Sequence, residues 1–190
     1  MQGDECVEAC EEGWEKNGDH CYYFSIKKKN WFAAENFCRN ESGHLASVHS
    51  NANNDFIWER LIRTGLNRHW IGGTDTGEEG VWKWTDCTPW NFTVWYEGEP
   101  NRLLEDCLNV YKFDDQHEHK DANKKWNDYP CSKEQGFVCS KKICSGRKYQ
   151  NLQKLDACFR RREVRSQRNV EADLHFRRRD PPHPPPLLTV

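Results

Sequence analysis

Apolar positions along the first 140 residues follow two rhythms. Cys21-Tyr22-Tyr23-Phe24-Ser25-Ile26 is an apolar-rich run of strand length. Asn30, a helix-capping residue type, follows it, and Trp31, Ala34 and Cys38 then recur at helical spacing until Gly43, which is expected to end that helix. A second helical rhythm is expected after Ser50 and up to Gly65, with Phe56, Ile57, Leu61 and Ile62 as its buried stripe. Beyond it the pattern changes to short Trp-rich strands: Trp70-Ile71-Gly72, Val81-Trp82-Lys83-Trp84, Cys107-Leu108-Asn109-Val110-Tyr111, Lys125-Trp126-Asn127 and Gly136-Phe137-Val138-Cys139. Two helices early and strands late predict an α+β domain with antiparallel pairing. Between Thr85 and Glu105 the alternation lapses around Pro89, Gly98 and Pro100, over a stretch longer than an ordinary hairpin connection. Such loops tend to carry function.

Composition narrows the setting. With 190 residues and a mean hydropathy of −1.04, the chain has material for one domain of ordinary size and no second large core. Ten cysteines without zinc-ribbon spacing read as disulfides, which points to a secreted or extracellular protein. The sequons Asn40-Glu41-Ser42 and Asn91-Phe92-Thr93 agree with that compartment. No apolar run reaches the roughly 20 residues that span a bilayer, and Met1-Gln2-Gly3-Asp4-Glu5 does not resemble a signal peptide, so a leader is expected to have been removed or an N-terminal anchor to be missing.

The net charge of −2 conceals an asymmetry. Residues 1–140 hold 15 Lys and Arg against 25 Asp and Glu, whereas residues 141–190 hold 13 against 5. An acidic Trp- and Cys-rich body therefore precedes a basic extension ending in Asp180-Pro181-Pro182-His183-Pro184-Pro185-Pro186. The expected organisation is an N-terminal segment (1–9), a folded domain (10–142) and a disordered tail (143–190).

Hard oxygen donors concentrate in Glu97 to Asp106 and in Asn127-Asp128. Calcium takes about 6 to 8 such oxygens in irregular geometry. Taken alone, the stretch is better read as a solvated acidic loop, since no EF-hand spacing accompanies it. Order along the chain changes that reading. Trp70-Ile71-Gly72-Gly73, Trp82-Lys83-Trp84, Glu99-Pro100-Asn101, Glu105-Asp106-Cys107, Trp126-Asn127-Asp128 and Gly136-Phe137-Val138-Cys139 occur in an order and spacing that resemble the C-type lectin family over about 130 residues.

The resemblance implies a disulfide-stapled C-type lectin fold with a long calcium-binding loop. It pairs Cys38 with Cys139, Cys107 with Cys131 and, in the long form of the fold, Cys10 with Cys21. It also implies that Glu99, Asn101, Glu105, Asn127 and Asp128 ligate a Ca2+ ion that sugar hydroxyls share, and that Glu99-Pro100 is cis and coupled to calcium. In the family, Glu-Pro-Asn accompanies mannose, fucose and N-acetylglucosamine, and Gln-Pro-Asp accompanies galactose. Asp75, Glu79, Glu105 and Asp106 match an accessory calcium site, although Arg102 stands where site-bearing relatives carry an acid and would repel the ion or pair with Asp106. The implied function is non-enzymatic, calcium-dependent binding of mannose-type glycans on cell or pathogen surfaces, as in innate immune recognition. The alternative is a lectin-like module that binds a protein ligand without sugar.

Other features carry less. His117-Glu118-His119 lacks the HExxH spacing of a zinc site. Arg160-Arg161-Arg162 and Arg177-Arg178-Arg179 could attract polyanions, but a solvated tail is the simpler reading and no nucleic-acid partner is expected. Cys6, Cys87, Cys144 and Cys158 fall outside the three family bridges. Because family folds bring the termini together, Cys6 is expected to meet Cys144, while Cys87 could be free, pair with Cys158, or link two chains into a homo-oligomer. Linked sites would matter, since one shallow sugar site binds weakly.

Overall fold

The computed structural model describes residues 6–101, 104–111 and 124–144, all within one unit of the chain, Met1–Lys148. In chain order the elements are β1 (Glu15–Asn17), β2 (His20–Lys29), α1 (Trp31–Asn40), β3 (His44–Leu45), α2 (Asn51–Leu61), β4 (Arg68–Thr74), β5 (Lys83–Trp84), β6 (Cys107–Tyr111), β7 (Trp126–Tyr129) and β8 (Gln135–Lys142). The α+β class is as expected. Among the described residues the strands form one sheet in the order β1-β2-β8-β4-β6-β7, with β3 added to β8 and β5 to β4.

One pairing departs from the antiparallel expectation: β4 and β8 run parallel, with His69 opposite Gly136 and Trp70 opposite Phe137. A parallel pair requires a long connection between its strands, and here the whole β5 to β7 region supplies it. The pair lies at the centre of the sheet and is covered on both faces. Trp70 and Phe137 join one core cluster with Trp31, Ala34 and Cys38 of α1. The next residues along, Ile71 and Val138, join the other cluster with Ile57, Trp58 and Leu61 of α2. Burial on both faces is why these strands read as continuous apolar runs instead of alternating ones.

Both helices begin on the expected caps. The Asn30 side chain accepts the Ala33 N–H at 2.8 Å, and Ser50 Oγ accepts the Asn53 N–H at 3.1 Å. Their ends differ from expectation. Ser42, not Gly43, takes the left-handed conformation after α1, while Gly43 is needed for close approach, because a Cβ there would lie 2.5 Å from the Ser140 carbonyl oxygen. Helix α2 stops at Leu61 instead of continuing to Gly65. Its buried residues are Asn54, Ile57, Trp58 and Leu61. Phe56 is only partly buried and Ile62 is 44 % exposed, because at 3.6 residues per turn the face through Ile57 and Leu61 also contains Asn54 and Trp58.

The bridges Cys10–Cys21, Cys38–Cys139, Cys107–Cys131 and Cys6–Cys144 are all formed. The last closes the domain at its termini, where Val7 donates to the Lys142 carbonyl and receives the Cys144 N–H, both at 2.8 Å. Cys87 is also disulfide-bonded, so no described cysteine is free to join two chains. The predicted route to an oligomer through an unpaired thiol therefore has no described residue to carry it. His117, His119, Arg102 and the two arginine runs also lie outside the described residues.

Candidate functional site

The long connection from Thr85 to Glu105 is held down by aromatic packing. Trp90 lies 4.5 Å from Trp84 and 5.8 Å from Trp82 between ring centroids, and Trp95 meets Trp82 at 4.8 Å. Both also contact Trp126 of β7, with Phe92 beside them. The Trp126 backbone finishes the attachment: its N–H donates to the Val94 carbonyl at 2.9 Å, and its carbonyl accepts from Tyr96 at 2.8 Å. Trp90, Phe92 and Trp95 were not singled out from the sequence. Three large aromatics within six positions of a Pro- and Gly-bearing loop were the available signal, since such side chains bury wherever they can.

Anchoring the loop on Trp126 brings the Glu-Pro-Asn triplet beside the next residues of the same strand. Glu99-Pro100 is cis, as expected. The Asn101 N–H donates to Asp128 Oδ2 at 3.1 Å, tying loop to strand. Asp128 is 1 % exposed, and the adjacent Asn127 is half-buried with its side-chain amide donating to the Asp128 carbonyl. Glu99 is half-buried and Asn101 exposed, while Glu105 is half-buried just before β6. Four of the five expected primary ligands thus gather where the loop meets β7, with Glu105 at the head of the neighbouring strand.

In the second expected set, Asp75 and Asp106 are brought together. Thr74 Oγ1 at 2.7 Å and the Asp75 N–H at 3.2 Å both donate to the Asp106 carbonyl, placing Asp75 against Asp106. Asp75 is buried, with Oδ2 accepting the Gly80 N–H at 2.9 Å. Its Oδ1 is buried without a hydrogen-bond partner among the described residues. Burial raises the Asp75 pKa above the ordinary carboxylate value, and the Asp106 and Asp128 carboxylates push it the same way against the opposing Gly80 hydrogen bond. Glu79, at the surface, is also raised, by partial desolvation and by Asp75, Asp106 and Asp128. Both expected sets therefore share one electrostatic neighbourhood.

These features fit a hard divalent cation. The donors are all oxygens, a buried carboxylate oxygen lacks a partner, and the carboxylates repel one another, which a cation between them would relieve. Among the described residues no three His, Cys, Asp or Glu side chains converge closely enough to hold a metal. Glu99, Asn101, Glu105, Asn127 and Asp128 are the residues that would hold one such ion, and Asp75, Glu79, Glu105 and Asp106 those that would hold an accessory one.

The Lectin C-type domain profile matches residues 27–141. Chicken (Gallus gallus) "Hepatic lectin" is 37 % identical over 134 residues, covering 68 % of this chain and 58 % of that protein. Human "C-type lectin domain family 4 member K" is 34 % identical, covering 71 % of this chain and 40 % of its own length, so the chain spans only about half of these relatives. Among solved structures, the cow CD23 carbohydrate-recognition domain, determined in the presence of GlcNAc2Man3 oligosaccharide, is 32 % identical with a TM-score of 0.62, covering 73 % of this chain and all of that one. A calcium-independent type II antifreeze protein is similarly near, at 31 % identity and TM-score 0.63, covering 72 % of this chain and 96 % of its own. The family consists of binding proteins and not enzymes. With the family profile matched over more than half its length and the same fold around its long loop, this chain belongs to the C-type lectin domain family.

Proposed function

We propose that residues 10–142, together with the Cys6–Cys144 bridge that closes their ends, form an extracellular recognition domain that binds mannose-type glycans through calcium, and that the rest of the chain to residue 190 is a basic extension outside it. The observation carrying this reading is the junction of loop and strand, where the Asn101 N–H of the Glu-Pro-Asn triplet is held by Asp128 beside Asn127. Calcium bound there would supply open coordination positions for two neighbouring sugar hydroxyls. The chain's own groups do the selecting. A hydroxyl still has a proton to give and a lone pair to offer, so the Glu99 or Glu105 carboxylate accepts from it while the Asn101 or Asn127 amide donates to it. Exchanging acid and amide within the triplet reverses that pattern, which is why the order Glu-Pro-Asn favours mannose over galactose. The glycan in the cow relative contains mannose and N-acetylglucosamine, the sugar class this order favours.

The test is retention on immobilised mannose in calcium, elution by chelator, and repetition with Glu99→Gln plus Asn101→Asp. Chelator-reversible retention that the double substitution redirects to galactose supports the reading. Folded protein that is retained on neither sugar and ignores calcium overturns it. Similarity to a calcium-independent antifreeze protein and to the ice-structuring protein of Hemitripterus americanus keeps a second reading in view, a lectin-like module for a non-sugar ligand such as a protein.

A further inference from the structure

The corner where β2 runs into α1 carries a combination that neither the core nor the calcium region uses. The β2–β8 ladder pairs Ser25 with Phe137 and Lys29 with Gln135, so four steps on β2 face two on β8 and the register slips between them. Ile26, Lys27 and Lys28 stand out of the ladder in consequence, with Ser25 Oγ accepting the Lys27 N–H at 3.2 Å. Ile26 is 64 % exposed, and Lys27 and Lys28 are both exposed. Phe32, in the first turn of α1, is 56 % exposed. The Trp31 N–H donates to the Cys131 carbonyl at 3.0 Å, which draws the next turn and its exposed Lys133 alongside.

Opposing charge at this corner is sparse. α1 has no acidic residue in its first turn, and Glu35 is committed to His44 at 2.7 Å and to the Leu45 N–H at 2.9 Å, leaving Glu134 as the exposed acid of the adjoining turn. A cationic island with two protruding apolar side chains thus sits on a body whose acidic residues outnumber its basic ones, 25 to 15. We propose that this corner anchors the domain on an anionic lipid bilayer. Ile26 and Phe32 enter the boundary between headgroups and acyl chains, and Lys27, Lys28 and Lys133 face the headgroup phosphates. Charge complementarity selects an anionic surface, and the two apolar side chains select lipid over a soluble polyanion, which offers them nothing to bury against. The anchor needs no calcium and does not depend on the sugar reading.

The test is co-sedimentation of the full chain, in chelator, with vesicles of phosphatidylcholine alone or with about one-third phosphatidylglycerol. The native chain is expected to bind only the anionic vesicles, with binding weakened by salt. Lys27→Gln with Lys28→Gln should lower partitioning at least tenfold, since each lysine near such a surface contributes roughly fivefold. Ile26→Ser with Phe32→Ser should lower it comparably, with thermal unfolding and mannose retention unchanged. Absence of native binding overturns the proposal. So does unaltered binding by both double variants, which assigns attachment to other basic segments. Retention on heparin that falls in the lysine variant, together with vesicle binding indifferent to Ile26 and Phe32, replaces the bilayer with a soluble polyanion.

Discussion

Acidification should weaken this fold through one buried histidine. His69 lies on β4 between Val110 of β6 and Gly136 of β8 and is 1 % exposed. Its Nε2 is 3.1 Å from Thr64 Oγ1, and that hydroxyl already donates to the Leu61 carbonyl at 2.8 Å. Thr64 must therefore accept, which places the imidazole proton on Nε2, and charging the ring means adding a proton at buried Nδ1. Burial lowers the His69 pKa from 6.5 to about 4. The folded state thus holds a neutral ring over a range in which the unfolded chain is protonated. The stability this contributes is present above pH 6.5, declines as pH falls from 6.5 towards 4, and changes no further below 4. Each unit of difference is worth about 1.4 kcal/mol, so between pH 7 and pH 4.5 the loss is about 2 kcal/mol. Urea unfolding of the native chain and of His69→Gln at both pH values isolates the effect, because carboxylates titrate alike in both. The native chain should lose about 2 kcal/mol more than the variant on acidification. Equal losses would refute the argument that His69 is held neutral by burial.

Other expectations follow from single contacts. Gly136→Ala would place a Cβ 2.6 Å from the His69 ring and 2.8 Å from the Ser25 carbonyl oxygen, so it should cost about 2 kcal/mol or more in urea unfolding. Asn54→Ala should cost about 1–3 kcal/mol, since Asn54 Oδ1 accepts the buried Trp126 indole N–H at 3.0 Å and its Nδ2 donates to the Lys124 carbonyl at 2.8 Å; the same variant should loosen calcium binding, because Trp126 seats the loop. Calcium should raise the unfolding midpoint and chelator should reverse it, by ligand linkage. Asp75→Asn should remove one calcium equivalent in titration calorimetry while leaving mannose retention in place; undiminished stoichiometry would remove Asp75 from the ligand set.

What was legible in the sequence was mostly local. Asn30 and Ser50 cap helices because a side chain three positions away from an N–H can reach it without help from the rest of the fold. The strands around Trp70, Cys107, Trp126 and Phe137 were visible for the same reason, as apolar runs bounded by turn residues. The bridges and ligand set came from family resemblance, since spacing alone cannot choose among pairings of ten cysteines. Tertiary structure decided the rest. Only the assembled sheet brings β4 and β8 together in parallel, and only Trp126 and the Lys124 carbonyl give Asn54 a reason to be buried. Asp75 gains its burial and its carboxylate neighbours from the distant Asp106 and Asp128. Hydrophobic pattern and capping act over a few residues, whereas a polar atom's partner and a carboxylate's potential depend on which distant segments the closed chain brings alongside.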